Sequence, residues 1–237
     1  MIKTFRSIPS SSIRLVVFDL DGTLIDSGAD LFASINAMLL HFGRQPLPDP
    51  VIASYIGDGA PMLVSRSLGE PDQSSFVDSA LAYFLGYYNE HKLDRTQVYP
   101  GVFDALNTLR LGAQGAERPM AVLTNKPVRA SQGICDALGL SPYFFRIYGG
   151  NSFATKKPDP EGLSTLMSEA GVAAQETLMI GDSDVDILTA RNAGVWSIGC
   201  SFGLAPDSLS AAEPDCIVDS AEEWPAALEI ERASMLG

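Results

Sequence analysis

Short apolar runs, each cut off by a polar or small residue, recur along this chain with amphipathic stretches between them. The run 13–18 (IRLVVF) stops at Asp19, 120–123 (MAVL) at Thr124, 177–180 (TLMI) at Gly181 and Asp182, and 195–200 (VWSIGC) at Ser201. Weaker runs at 145–150 (FRIYGG) and 215–220 (DCIVDS) extend the series. The stretches 102–110, 129–139, 161–171 and 184–194 carry apolar residues at helical spacing, and the last three stop at Gly139, Gly171 and Gly194. Glycine ends helices because it takes the left-handed conformation without a steric penalty. Strand, helix, strand, helix reads as an α/β fold, a parallel sheet with helices on both faces. Crossovers in such sheets are right-handed, and ligands sit beyond the carboxyl ends of the strands.

Residues 27 to 98 break the rhythm. The segments 31–43 (LFASINAMLLHFG) and 74–91 (SSFVDSALAYFLGYYNEH) both read as helices. The aromatic stripe of Phe76, Tyr83, Phe84, Tyr87 and Tyr88 is expected to be core packing. The stretch leaves the first strand near Ser27 and returns near 98–102, where Pro100-Gly101 marks a turn. The expected division is a catalytic core of residues 1–26 and 99–237 and a helical insertion of residues 27–98. An insertion at the carboxyl end of a strand lies over the active face and is a natural lid. The segment 111–119 (LGAQGAERP) reads as an exposed loop far from the chemistry.

Composition narrows the function classes. The 237 residues are 46% hydrophobic and 19% charged, which suits a packed core. A net charge of −13 argues against nucleic acid as a partner, since phosphate backbones call for Lys/Arg patches. It argues more weakly against an anionic membrane surface. An acidic protein binds an anionic small molecule only where a local cation reverses the sign. Cys135, Cys200 and Cys216 are far apart and read as free thiols. Two histidines, His41 and His91, poorly supply a zinc site or a His-dependent triad. The first 14 residues lack the apolar core of a signal peptide and no run reaches ~18 apolar residues, so the expected compartment is the cytoplasm. No pattern specifies an oligomeric state.

The strand tips carry the chemistry. In extended backbone, residues two apart point the same way, so Asp19 and Asp21 are expected to address one pocket. Gly22 and Thr23 behind them permit a sharp turn. The stretch 181–186 (GDSDVD) offers Asp182, Asp184 and Asp186 at another tip. Two like charges about 4 Å apart repel by about 4 kcal/mol at an effective dielectric of about 20, so a cation belongs among them. Oxygen ligands without His or Cys suggest a hard ion, Mg²⁺ above all. Thr124-Asn125 supplies a hydroxyl and backbone N–H groups for an anion, and Lys157 or its neighbour Lys156 a fixed positive charge. Asp159 reads as the cap of the following helix, with Pro160 in its first turn. Such a set is suited to phosphoryl transfer. In such a set Asp19 can attack phosphorus, Asp21 can protonate the leaving oxygen and then deprotonate water, and the cations can neutralise charge on the transferring group.

At these residues a family becomes recognisable. DLDGTLID, LTNK, KKPDP and GDSDVD, in that order, resemble the four motifs of the haloacid dehalogenase superfamily, over residues 14 to 220. The resemblance implies a Rossmann-like core with an α-helical cap between motifs one and two. It implies Asp19 as nucleophile, and Asp21 as general acid/base whose backbone carbonyl also meets Mg²⁺. It implies Thr124 and Lys157 as phosphoryl ligands, with Lys157 favoured over Lys156 because it directly precedes the proline. Asp182 is implied as a Mg²⁺ ligand, with Asp186 supporting or sharing that task. An aspartate at position 21, and Lys92 as the one lysine of residues 27–98, favour phosphate-ester chemistry over carbon–halogen or carbon–phosphorus cleavage.

The segment 55–69 (YIGDGAPMLVSRSLG) looks like the cap segment of phosphoglycolate phosphatases. Gly57 and Gly59 are then candidates for close approach to substrate. Arg66 is a candidate partner for a substrate carboxylate, or a plain surface arginine. Asp58 departs from the subgroup pattern, since similar enzymes often have a neutral residue there, and a carboxylate facing an acidic substrate opposes binding. The expected function is Mg²⁺-dependent hydrolysis of a small phosphomonoester, 2-phosphoglycolate foremost. The alternatives are a β-phosphoglucomutase-like sugar phosphomutase, and a non-catalytic switch module phosphorylated on aspartate.

Overall fold

The computed structural model describes residues 1–9, 11–70, 74–112 and 117–234. The chain opens with β1 (Lys3–Thr4), β2 (Leu15–Phe18) and β3 (Ile25–Asp26). Four helices follow: α1 (Gly28–His41), α2 (Asp49–Ala53), α3 (Ala60–Ser67) and α4 (Ser74–His91). The alternating part then runs β4 (Gln97–Val98), α5 (Val102–Leu109), β5 (Met120–Leu123), α6 (Val128–Ala137), β6 (Arg146–Tyr148), α7 (Glu161–Ala170) and β7 (Thr177–Gly181). It closes with α8 (Asp184–Ala193), β8 (Trp196–Cys200), α9 (Leu209–Ala212), β9 (Cys216–Val218) and α10 (Glu223–Ser234).

Seven strands form one sheet in the order β1-β9-β8-β7-β2-β5-β6. Every pairing is parallel except the short edge strand β1, which runs antiparallel to β9. All four residues of β2 are fully buried, as a strand covered on both faces demands. Their side chains alternate. Val16 and Phe18 join α5, α6 and α10 on one face, through Leu106, Ile134 and Trp224. Leu15 and Val17 join α7 and α8 on the other, through Leu163, Leu166 and Ala190. The chain leaves β2 for β5 on one side and reaches β7 on the other. Such a reversal of strand order opens a crevice at the carboxyl tips.

The helices α1 to α4 share an apolar cluster of their own, built on Ile35, Met38, Ile52, Val64 and Phe84. The ends of this insert are stapled. The ribbon β3–β4 pairs the outgoing and returning chain. Asp30, buried in the first turn of α1, accepts hydrogen bonds from the Arg95 and Thr96 N–H groups at 3.0 and 2.8 Å and from the Thr96 hydroxyl at 2.8 Å. All three bonds go to Oδ2, and Arg95 Nε lies 3.6 Å from Oδ1, so the buried charge is partnered at the neck of the insert.

Some expectations shift. α1 starts at Gly28, three residues before the apolar pattern declares itself. α7 starts at Glu161 with Pro160, not Asp159, at the boundary, although the Asp159 carboxylate still accepts the Glu161 N–H at 2.9 Å. The edge strand β1 and the ribbon β3–β4 carry no sequence signal, since two residues are too few for a period. In the 111–119 loop, Leu111 and Glu117 bridge across its neck, and residues 113–116 lie outside the described residues.

The C-terminal helix docks on the core. Trp224 is fully buried and its ring lies 5.4 Å from Phe18 and 6.4 Å from Phe202. Trp224→Ala is expected to lower the unfolding free energy by about 3–5 kcal/mol, read from urea denaturation of the purified variant. A loss under about 1 kcal/mol contradicts this packing role.

Candidate active site

Asp19, Thr124 and Asp182 each follow the last residue of a strand, β2, β5 and β7 respectively, and these three strands are neighbours. A cavity of about 550 Å³ opens above them. Its floor includes Asp19, Asp21, Thr124 and Asp182, and its roof includes Leu31, Leu63 and Phe84 from the helical insert.

The buried base of the site is an ionic cluster. Asp19, Asp182 and Asp186 offer carboxylate oxygens within 4.8 Å of one another. Lys157 Nζ lies 2.7 Å from Asp19 Oδ1 and 2.6 Å from Asp186 Oδ1. The other Asp186 oxygen accepts the Ser183 N–H at 3.1 Å and its hydroxyl at 2.8 Å, in the first turn of α8. Both oxygens of Asp186 are therefore engaged. Asp182 Oδ2 accepts the Leu204 and Ala205 N–H groups at 2.7 and 3.2 Å, from the loop after β8. Gly22 sits against Asp182 with φ +82°, and a Cβ there would fall 2.1 Å from the carboxylate. Only glycine satisfies both the backbone and the space.

Electrostatics show charge left unbalanced. Burial pushes the Asp19 pKa up to about 6, with Asp186 adding to the rise and Lys157 opposing it. Burial also holds the Asp182 carboxyl well above the ordinary range, helped by Asp186 and Asp19 and opposed by its two backbone donors. Burial works against the Lys157 ammonium, yet Asp186 and Asp19 together hold its pKa above the usual lysine value. Three carboxylates face one ammonium, which leaves two negative charges in excess. An all-oxygen donor set with that deficit fits a hard divalent cation.

Asp21 belongs to a second ionic group. Lys126 Nζ lies 2.9 Å from each Asp21 oxygen, and Ser27 Oγ donates to Asp21 Oδ1 at 2.5 Å. The same ammonium donates to the Tyr88 hydroxyl of α4 at 2.6 Å. Burial works against the charge on Lys126, but Asp21 and then Tyr88 hold its pKa above the usual range. Lys126 has no assigned role in the sequence motifs, although it stands two residues from Thr124. Tyr88 packs as the aromatic stripe predicts, stacked on Phe84 at 5.8 Å, yet its hydroxyl reaches the site. The Leu204 and Ala205 donors were invisible because backbone N–H groups leave no residue signature.

The remaining candidates divide. Asn125 is buried and its amide donates to the Gly57 carbonyl at 2.8 Å and the Lys157 carbonyl at 3.0 Å, so it ties the insert to the lysine loop. Gly57 and Gly59 line the cavity. Lys156 donates to the Asp58 carbonyl at 2.5 Å, away from the carboxylate cluster. Arg66 does not line the cavity, and its guanidinium lies 2.6 Å from Asp58. That ion pair also neutralises the carboxylate whose presence in the segment looked unfavourable. Asp184 lies in the first turn of α8, outside the three-carboxylate group. Among the described residues, no helix is long and apolar enough to cross a membrane.

Comparison with known proteins identifies the family. The sequence model of the Haloacid dehalogenase-like hydrolase family matches residues 16–200. A phosphoglycolate phosphatase of Pseudomonas fluorescens is 40% identical over 226 residues, covering 88% of this chain and 82% of its own. A phosphoglycolate phosphatase of Chromobacterium violaceum is 38% identical, covering 85% of this chain and 90% of its own. The crystal structure described as "a predicted phosphoglycolate phosphatase" from Haemophilus somnus superposes with a TM-score of 0.82 at 30% identity, covering 90% of this chain and 96% of that one. The chain belongs to the haloacid dehalogenase-like hydrolase family.

Proposed function

We propose that this site hydrolyses a small phosphomonoester through an aspartyl-phosphate on Asp19, and that 2-phosphoglycolate is its substrate. The observation that carries the reading is Lys157, fixed between Asp19 and Asp186 at the tips of adjacent strands. The naming of relatives about 40% identical over most of the chain supports the substrate.

Asp19 attacks phosphorus and the ester oxygen leaves. Water then attacks the acyl phosphate, releasing phosphate and restoring the carboxylate. Asp21 serves both steps, giving a proton to the leaving oxygen and taking one from water. Its carboxylate is held by Lys126 and Ser27, which fixes its orientation. Lys157 offsets negative charge on the transferring group, and Thr124 supplies a hydroxyl beside it, its own N–H being donated to the Tyr148 carbonyl at 3.0 Å. Asp186 holds Lys157 in place by its first oxygen and the start of α8 by its second. Mg²⁺ held by Asp19, Asp182 and the Asp21 backbone carbonyl, and supported by Asp186, would supply Lewis-acid stabilisation of the phosphoryl oxygens. The helical insert acts as a cap that excludes water from the cavity, with Gly57 and Gly59 on its inner surface.

Phosphate release from a panel of phosphomonoesters tests the function. Release is expected to prefer 2-phosphoglycolate, to stop with EDTA and to return with Mg²⁺. No release from any ester contradicts hydrolysis and favours the mutase. Asp19→Asn is expected to lower kcat by a factor of about 10³ or more, and turnover near that of the wild type contradicts the nucleophile.

The metal-free protein carries a pH signature. A carboxyl whose folded pKa is raised contributes stability that is fully present below about 3.8 and lost as pH climbs through about 6. An amide at position 19 mimics the protonated form. Asp19→Asn should therefore gain stability relative to the wild type as pH rises from about 4 to about 6.5 in EDTA. Urea denaturation at several pH values reads the difference, and a difference that does not change with pH contradicts the raised carboxyl.

A further inference from the structure

The far end of the substrate is left without a partner, and the cation expected there is engaged elsewhere. Arg66 is paired with Asp58 and stands outside the cavity lining. Two basic side chains do line the cavity, Lys126 and Arg129. Lys126 is saturated by both Asp21 oxygens and the Tyr88 hydroxyl. Arg129 is exposed and makes no hydrogen bond or ion pair among the described residues.

The position of Arg129 is fixed by its backbone. It lies in the first turn of α6, directly after the β5 tip that carries Thr124, Asn125 and Lys126. The Val128 N–H donates to Asn151 Oδ1 at 2.9 Å, pinning that turn to the loop after β6. Gly149 packs so closely that a Cβ would fall 2.4 Å from the Val128 nitrogen. An exposed arginine is thus carried on a fixed turn at the wall of the cavity. In a chain of net charge −13, an unspent guanidinium is a strong local attractor for an anion. Its planar fork matches a carboxylate with two parallel N–H···O bonds.

We propose that Arg129 is a specificity-determining residue that pairs with the carboxylate of the substrate, selecting phosphomonoesters with a second anionic group. The proposal rests on the phosphatase reading above. Apart from Lys126 and Arg129 the cavity lining holds no basic side chain, so a carboxylate has no other rival cation there. Asp58, the nearby segment's acid, is already neutralised by Arg66.

The test compares two two-carbon esters, 2-phosphoglycolate and 2-hydroxyethyl phosphate, which differ in carboxylate against neutral hydroxyl. The readout is the ratio of their kcat/KM values, with the wild type, Arg129→Met, Arg129→Lys and the double variant Arg66→Met/Asp58→Asn. Loss of a charge-assisted hydrogen-bond pair is expected to lower the ratio about 10- to 100-fold in Arg129→Met. Arg129→Lys should recover part of it, and Arg66→Met combined with Asp58→Asn, which removes both charges of that pair together, should leave it within about 3-fold of the wild type. A wild-type preference for 2-phosphoglycolate that Arg129→Met retains overturns the proposal while the substrate reading stands. A ratio that falls in the double variant instead also overturns it. A wild type that turns over both esters equally well overturns the substrate reading, and the proposal with it.

Discussion

Everything at the strand tips depends on one ammonium. Lys157 is 4% exposed and has carboxylates on two sides, Asp19 from β2 and Asp186 from α8. Removing one partner of such a buried pair typically costs about 3–5 kcal/mol, because the other charge is stranded. The lysine therefore joins three separate pieces of the chain: the end of the central strand, the loop before α7 and the start of α8. It also fixes the charge balance. One ammonium among three carboxylates makes an all-oxygen acidic cluster whose chemistry suits a hard divalent cation.

The second ionic group does for the insert what the first does for the core. Lys126 joins Asp21 to Tyr88 of α4, so the acid/base candidate and the roof of the cavity share one cation. Asn125, one residue earlier, ties the Gly57 carbonyl to the Lys157 carbonyl. Lys156 reaches the Asp58 carbonyl from the neighbouring loop. Contacts between insert and core thus come from the residues that flank the reacting centre. Asn125 and Lys126 line the cavity as well as hold the insert, so whatever fills the cavity meets the residues that tether its roof.

Much of this was legible in the sequence because it has a period or a charge. Strands buried on both faces announce themselves as unbroken apolar runs, and Asp19, Thr124 and Asp182 were readable as the residues at which those runs stop. The parallel sheet followed from the alternation. What escaped had no such mark. The ribbon β3–β4 and the edge strand β1 are built from strands of two residues each. The Leu204 and Ala205 donors are backbone groups. Lys126 and Tyr88 lie 38 residues apart and meet only in three dimensions. Arg66 and Arg129 show the limit most clearly. Both are arginines near a candidate loop, and only the fold shows one paired with Asp58 and the other lining the cavity.

The central claim is that Asp19 carries the phosphoryl group. Borohydride reduces an acyl phosphate to an alcohol, so quenching the enzyme with borohydride during turnover of 2-phosphoglycolate converts a phosphorylated aspartate to homoserine. Peptide mass spectrometry then locates the change. Homoserine at position 19, absent without substrate, is the predicted result. Sustained phosphate release with Asp19 unmodified, or with the mark on another aspartate, would contradict the account.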